Sequence, residues 1–368
     1  MPRVLLIALD SVGIDPLGHN RPDSVYANSR FLFPRQSICG SVSLPNAPVP
    51  GALVETVVAT PEHRGAIECA ITYTSIFSGH SALDRHGLMN GLGLNERTLC
   101  GMVQESNLFR CFANPCLANA LFPLHLQFLG SSFVQDLLPP YDRPAIEAML
   151  HMDGRPVRLL GADKHGFAEL FTLTEINQNI FVFAAREAGV PLRTWDDVRC
   201  GEALTGSMTH ELESRFNWEA LGQAALPRRR PEEAAEILVT LSRRHDFTFY
   251  KYQLADLVSH TGRVELARAV FETIEDFVEA VLRRIDPAET VVIVTSDHGH
   301  LEQVAFSRGH PKSTVPTWYF GPDAEAQVNR MSRPEGVFNV VVEHGRDSRN
   351  AVQCTGHSSE PPSGGFPR

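Results

Sequence analysis

Two stretches of the chain are apolar without alternation, and each stops at an acid. Val4 to Leu9 runs six residues to Asp10, followed by Ser11-Val12-Gly13, and Thr290-Val-Val-Ile-Val-Thr-Ser repeats the pattern before Asp297-His298-Gly299. Such a run has no polar side to offer to water, so it reads as a strand covered on both faces, as in a parallel sheet between helices. Phe247 to Asp256 is a third strand candidate, again ending at an acid. Between the last two, Leu266, Val270, Ile274, Phe277, Val281 and Ile285 form one stripe of a helix over 264–285, which Pro287 stops. Glu232 to Arg244 has an acidic first turn and a basic last turn, the polarity a helix dipole prefers. This strand–helix–strand order predicts an α/β fold with a mostly parallel, doubly wound sheet flanked by helices.

The middle of the chain loses this order. Residues 97–230 are rich in Phe, Leu, Asn and Pro with weak periodicity, and read as an inserted cap that selects substrate. The flanks, 1–96 and 231–345, then form one discontinuous core. Residues 346–368 have the composition of a disordered tail. The run Arg228-Arg229-Arg230 between two prolines reads as a solvated hinge, with phosphate binding as the alternative.

Composition narrows the function classes. A length of 368 residues suggests two domains, or one large core with an insertion. A formal net charge of -10 argues against nucleic-acid binding through bulk electrostatics, yet admits a small anionic substrate, because bound metal ions reverse the sign locally. The first apolar run is too short for a signal-peptide core, which needs roughly 7–15 residues, or for a membrane span of about 20. Seven cysteines, an odd number in a long chain, favour reduced thiols and a cytoplasmic protein. Cys111 and Cys116 could be half of a zinc site, but no second pair matches them.

The chemistry gathers at the strand ends. Asp10 closes the first strand, Asp256 and His260 follow the third and share one helical face, and Asp297 and His298 close the late strand, with His310 shortly after. Sites in open α/β sheets form outside the carboxyl ends of strands. Three Asp and three His suffice for two divalent ions at about three to five protein ligands each.

These segments resemble the alkaline phosphatase superfamily, in the branch of cofactor-independent phosphoglycerate mutase and phosphopentomutase. Asp10-Ser-Val-Gly-Ile is similar to the phosphopentomutase opening, Ala255-Asp-Leu-Val-Ser-His260-Thr-Gly to the mutase segment, and Ser296-Asp297-His298-Gly with His310 and Val315-Pro316 to the late motif. The resemblance covers about residues 3–90 and 232–322. It implies one metal on Asp256, His260 and His310, and a second on Asp10, Asp297, His298 and the nucleophile. Arg308 and Lys312 flank His310 as candidate substrate-binding cations, while His300 and Glu302 resemble outer positions.

The chain departs from that family at the nucleophile. Where the family has Ser or Thr about ten residues before the end of a short helix, aligning on Ser78-Gly79 puts Cys69. A helix N-terminus and two metals would both lower its thiol pKa, and a thiolate favours zinc over the manganese that suits oxygen donors. Ile71 and Tyr73 occupy the positions that would mark a formylglycine precursor, which argues against that maturation. Thr72 and Thr74 are alternative nucleophiles, and a bland buried Cys69 is the remaining one. The expectation is metal-dependent phosphoryl-group chemistry on a small phosphorylated metabolite, as hydrolase or mutase, with two Zn or Mn ions. Two alternatives stand beside it. One is hydrolysis of a sulfate, phosphonate or acyl ester or thioester by the Cys69 thiolate, and the other is a catalytically silent, metal-stabilised binding protein.

Overall fold

A computed structural model of the chain describes residues 2–34, 38, 40–58, 69–86, 96–120, 151–152, 155–156, 180–211, 213, 224–307, 311 and 314–345. Its strands are β1 (Arg3–Leu9), β2 (Ser41–Ser43), β3 (Gly51–Thr56), β4 (Pro115–Leu117), β5 (His151–Met152), β6 (Arg155–Pro156), β7 (Phe247–Tyr252), β8 (Thr290–Ser296) and β9 (Val315–Phe320). The helices are α1 (Cys69–Ser78), α2 (Ala82–His86), α3 (Glu96–Glu105), α4 (Ile180–Glu187), α5 (Trp195–Arg199), α6 (Pro231–Arg244), α7 (Leu254–Ser259), α8 (Val264–Leu282), α9 (Ala324–Asn329) and α10 (Pro334–Gly345). Seven strands form one mixed sheet in the order β2-β3-β9-β8-β1-β7-β4, and β5 pairs with β6 in a separate hairpin. All but β2 and β9 of the seven point the same way, so the sheet is mostly parallel, as the unbroken apolar runs imply.

β1 lies inside this order, between β7 and β8, and feeds both faces. Val4, Leu6 and Ala8 pack into the core shared with α1, α3, α4 and α10. Leu5, Ile7 and Leu9 pack into the opposite core, with α6 and α8. Alternate side chains of a strand point to opposite faces, so a run that must fill two cores has to be apolar throughout.

Three boundaries differ from the sequence reading. β7 ends at Tyr252 and not at Asp256. The Gln253 N–H donates to Gly206 O at 2.7 Å, and the chain then turns into α7, which carries Asp256 in its first turn. α8 stops at Leu282, where a tight turn bonds Arg284 N and Ile285 N back to Val281 O at 3.0 and 3.2 Å. The core also takes in part of the segment expected to be a cap. β4 is the edge strand beside β7, and α4 buries Ile180, Phe181, Val182, Ala184 and Ala185 in the core that holds α1. Residues 121–150 and 157–179 lie outside the described residues, as does the tail after 345.

The loop after β1 is fixed by one buried acid. Glu275, on the inner face of α8, accepts from Ser29 Oγ at 2.8 Å and from the N–H groups of Arg30, Phe31 and Leu32 at 2.9, 3.0 and 3.0 Å. Cys69, Cys100, Cys116 and Cys200 are not disulfide-bonded, whereas Cys111 is, against the expectation of reduced thiols throughout. No helix among the described residues is long and apolar enough to cross a membrane.

Candidate metal centre

Because β8, β1 and β7 are neighbours and run in parallel, their carboxyl ends open on one spot. Asp10 follows β1, Asp297 and His298 follow β8, α7 follows β7, and α1 begins at Cys69 against them. Two donor groups result. In the first, one donor atom from each of Asp10, Cys69, Asp297 and His298 lies within 4.8 Å of all the others, and all four residues are buried. In the second, Asp256, His260 and His300 meet the same limit, and Asp256 and His260 are partly open to solvent.

The first group is tightly gathered around His298 Nε2. His298 Nε2 stands 3.2 Å from Cys69 Sγ, 3.3 Å from Asp10 Oδ1 and 3.9 Å from Asp297 Oδ2, and Cys69 Sγ is 3.8 Å from Asp10 Oδ1. Four donors at about 2.0–2.3 Å from one tetrahedral ion would be separated by roughly 3.3–3.8 Å, so these residues fit a divalent metal. In the second group His260 Nε2 lies 3.4 Å from Asp256 Oδ1, and the His260 and His300 rings meet edge to face at 4.5 Å.

Ser11 joins the two groups. Its hydroxyl donates to Asp256 Oδ1 at 2.5 Å and lies 3.2 Å from His298 Nδ1, while its N–H donates to Asp297 Oδ1 at 3.3 Å. The residue holds φ at 67°, a left-handed conformation uncommon for serine, which aims these groups in two directions. Glu302 fastens the next turn: its Oε2 accepts the N–H of Gly13 and the N–H of His300, each at 3.0 Å. A Cβ at Gly13 would stand 2.4 Å from the Glu302 carboxyl carbon, so any larger residue would displace that carboxylate.

A buried lysine completes the first group. Lys251, in the middle of β7, is 1% exposed, with Nζ 2.8 Å from Asp10 Oδ2 and 3.8 Å from Asp297 Oδ2. The ring centroids of Tyr73 and Phe181 lie 4.8 and 5.9 Å from that nitrogen. Burial works against its charge, but Asp10, Cys69 and Asp297 raise it above the ordinary lysine range, so it is an ammonium. Burial pushes the Cys69 thiol well up, with Asp10 and Asp297 adding to the effect. The helix N-terminus does not by itself make a thiolate here. Burial opposes a charged His298, yet Asp297 and Cys69 raise its pKa well above the usual value. The two aspartates share charge unevenly. Burial and Asp297 push Asp10 up, whereas for Asp297 the effect of burial is outweighed by His298 and Lys251, which hold it below the ordinary value. The 2.8 Å contact with an ammonium keeps Asp10 a carboxylate all the same.

The structure thus brings together Asp10, Cys69, Asp297 and His298, and separately Asp256 and His260. His310, Arg308 and Lys312 lie outside the described residues. His300 lies beside Asp256 and His260 and could offer them a third donor. Thr72 and Thr74 are engaged elsewhere, donating to Asp297 O at 2.8 Å and to Ala70 O at 2.7 Å. Lys251 was not foreseen. Its signal was its place in a strand with no solvent face, where a lysine must meet a buried acid.

Residues 227–345, which carry β7, α7, β8 and every described donor except Asp10 and Cys69, match the Metalloenzyme superfamily. Curated relatives agree: the 2,3-bisphosphoglycerate-independent phosphoglycerate mutase of Clostridium novyi is 29% identical over 107 residues, 27% of this chain and 20% of that one. These matches support, for the segment that carries β7, α7 and β8, a relation to the metalloenzyme branch of the alkaline phosphatase superfamily. The Yersinia pestis (strain Pestoides F) mutase of the same description is 32% identical over 104 residues, 26% of this chain and 20% of that one. The chain thus spans about a fifth of the length of these relatives. Among solved structures, the alkaline phosphatase from the Antarctic bacterium TAB5 is similar over 94% of this chain and 100% of that one, at 11% identity and a TM-score of 0.39. One donor group is buried throughout, and the other is partly open to solvent at Asp256 and His260.

Proposed function

We propose that the chain is a metal-dependent enzyme of phosphoryl-group chemistry, a hydrolase or a mutase acting on a small phosphorylated metabolite. The observation that carries this reading is the pairing of two donor groups through Ser11, with Cys69 in one of them at the start of α1. Asp10, Cys69, Asp297 and His298 would hold one divalent ion, and Asp256, His260 and His300 another. Such ions, when bound, lower the pKa of a nucleophile and neutralise charge on a transferring phosphoryl group. The protein side of the work is positional. Ser11 fixes Asp256 and His298 against one another, and Glu302 fixes the backbone that carries His300. Burial of the first group excludes water from Cys69, so substrate approaches from the side of Asp256 and His260. With an ion held by this group, Cys69 would be kept as a thiolate, since a coordinating thiol is deprotonated. We assign substrate selection to the chain between β4 and α4.

Cysteine in the nucleophile position favours a second reading, hydrolysis of a sulfate, phosphonate, acyl ester or thioester by a Cys69 thiolate. A thiolate attacks soft and acyl centres readily, and a phosphocysteine is more labile than a phosphoserine. A screen of phosphate mono- and diesters, sulfates and thioesters, with zinc and with manganese, separates the two. Turnover of phosphate esters alone supports the first reading and turnover of thioesters alone the second. A metal-loaded chain that turns over none of them overturns both and leaves a binding protein.

A further inference from the structure

Lys251 has no part in the reading above, yet it is the most unusual side chain near the centre. It sits in a strand buried at every position, Phe247 to Tyr252. Its ammonium touches Asp10 at 2.8 Å through Oδ2, the oxygen that does not face His298, while Oδ1 lies 3.3 Å from His298 Nε2. Its second contact, Asp297 Oδ2 at 3.8 Å, is to the oxygen that faces the donor group. The rings of Tyr73 and Phe181 flank it and give it no access to water. The backbone of Lys251 is pinned as well, its N–H donating to Asn119 Oδ1 at 2.7 Å and its carbonyl accepting from Asn119 Nδ2 at 2.8 Å, so the side chain is presented from a fixed point.

Two carboxylates cannot stay buried side by side without a cation. When no metal is present, the ammonium serves as that cation on the Oδ2 side of Asp10, opposite the His298 ring at Oδ1. When a divalent ion enters the same group, the ammonium remains within a few ångströms of it and repels it. We propose that Lys251 is a built-in counter-ion of the Asp10–Cys69–Asp297–His298 group: it keeps the group assembled without metal and weakens the group's hold on a divalent ion. The proposal rests on the reading of this group as a metal site, and it makes Lys251 a positioning residue that acts through Asp10 and Asp297.

The test uses the full-length chain, stripped with chelator and then titrated with zinc, comparing wild type with Lys251→Met, Asp10→Asn and the double variant. Urea unfolding of the metal-free proteins is the first readout, and zinc affinity by competition with a chromophoric chelator is the second. Lys251→Met is expected to unfold at lower urea than wild type without metal, to regain stability on adding zinc, and to bind zinc in this group at least tenfold more tightly. Adding Asp10→Asn to Lys251→Met should restore part of the metal-free stability, because the pair is then removed together. If Lys251→Met is too unstable to purify without metal, the zinc-loaded protein still reports affinity and the double variant still reports the pairing. An unchanged urea midpoint in Lys251→Met, or a zinc affinity equal to or weaker than wild type, overturns the proposal. A wild-type chain that binds no divalent ion at all overturns the metal reading beneath it, which is a distinguishable result.

Discussion

Removing the Glu302 carboxylate tests how the turn after β8 is held. Its Oε2 accepts two backbone N–H groups, from Gly13 and His300, and the residue is buried. Glu302→Ala leaves both donors without that partner, and an orphaned buried donor costs about 1–3 kcal/mol, so the variant should lose about 2–6 kcal/mol. Glu302→Gln keeps one acceptor oxygen of the same reach and should lose about 1–2 kcal/mol, the difference between a charged and a neutral acceptor. Urea unfolding in chelator measures both values free of any metal contribution. The same variants report on function, because the His300 N–H is tethered by this carboxylate. Metal affinity of the Asp256–His260–His300 group should fall about 10–100-fold in Glu302→Ala, the size found when a partner that orients a ligand is lost. A Glu302→Ala protein within about 0.5 kcal/mol of wild type would refute the reasoning. A destabilised protein with unchanged metal affinity would refute the positioning role alone.

Gly13→Ala should resemble Glu302→Ala, since its Cβ would displace the same carboxylate, and the two changes should be strongly non-additive in urea unfolding. Cys69→Ala should abolish nearly all turnover while changing stability by about 1 kcal/mol, and Cys69→Ser should keep part of the activity; full activity in Cys69→Ala would exclude a catalytic thiol. Burial lowers His19 to about 4, so it stays neutral in the fold while the unfolded chain titrates near 6.5. The unfolded state therefore binds the extra proton between these values, and stability should be full above pH 6.5 and fall by about 3 kcal/mol towards pH 4, a loss that His19→Phe should reduce. Glu275→Ala, which strips the acceptor from the loop at residues 29–32, should cost about 3 kcal/mol, and a loss under 1 kcal/mol would mean that the loop is held by its apolar contacts with Phe31, Leu32 and Phe33 instead.

The sheet and most of the centre were legible because burial on both faces writes itself as an unbroken apolar run, and because a strand that ends at an acid is conspicuous. Asp10, Asp297 and His298 followed directly from that pattern. Asp256 was found for a partly mistaken reason, since it lies one turn into a helix and not at a strand end. That His300 comes beside Asp256 and His260 was not legible, because distance along the chain says little about a tight turn such as the one at 299–303. β4 and α4 were missed as core elements because one is three residues long and the other lies in a region of weak periodicity, where packing and not propensity decides the structure. Lys251 was missed because a charged residue in a strand is ordinarily assigned to solvent. The absence of any solvent face on that strand was the fact that should have overruled the habit.

The interior place of β1 also bears on how the protein is made. Val4 pairs with Phe247 and with Val291, positions that follow it by 243 and 287 residues. At about 5–20 residues per second, β1 waits roughly 12–50 seconds after its own synthesis for its earlier neighbour to be made. Throughout that interval an apolar β-forming segment has no native edge to pair with, which makes it a client for a chaperone. Asp297 follows Asp10 by 287 residues and so arrives later still, and the buried donor group can be charged with an ion only after β8 has been made.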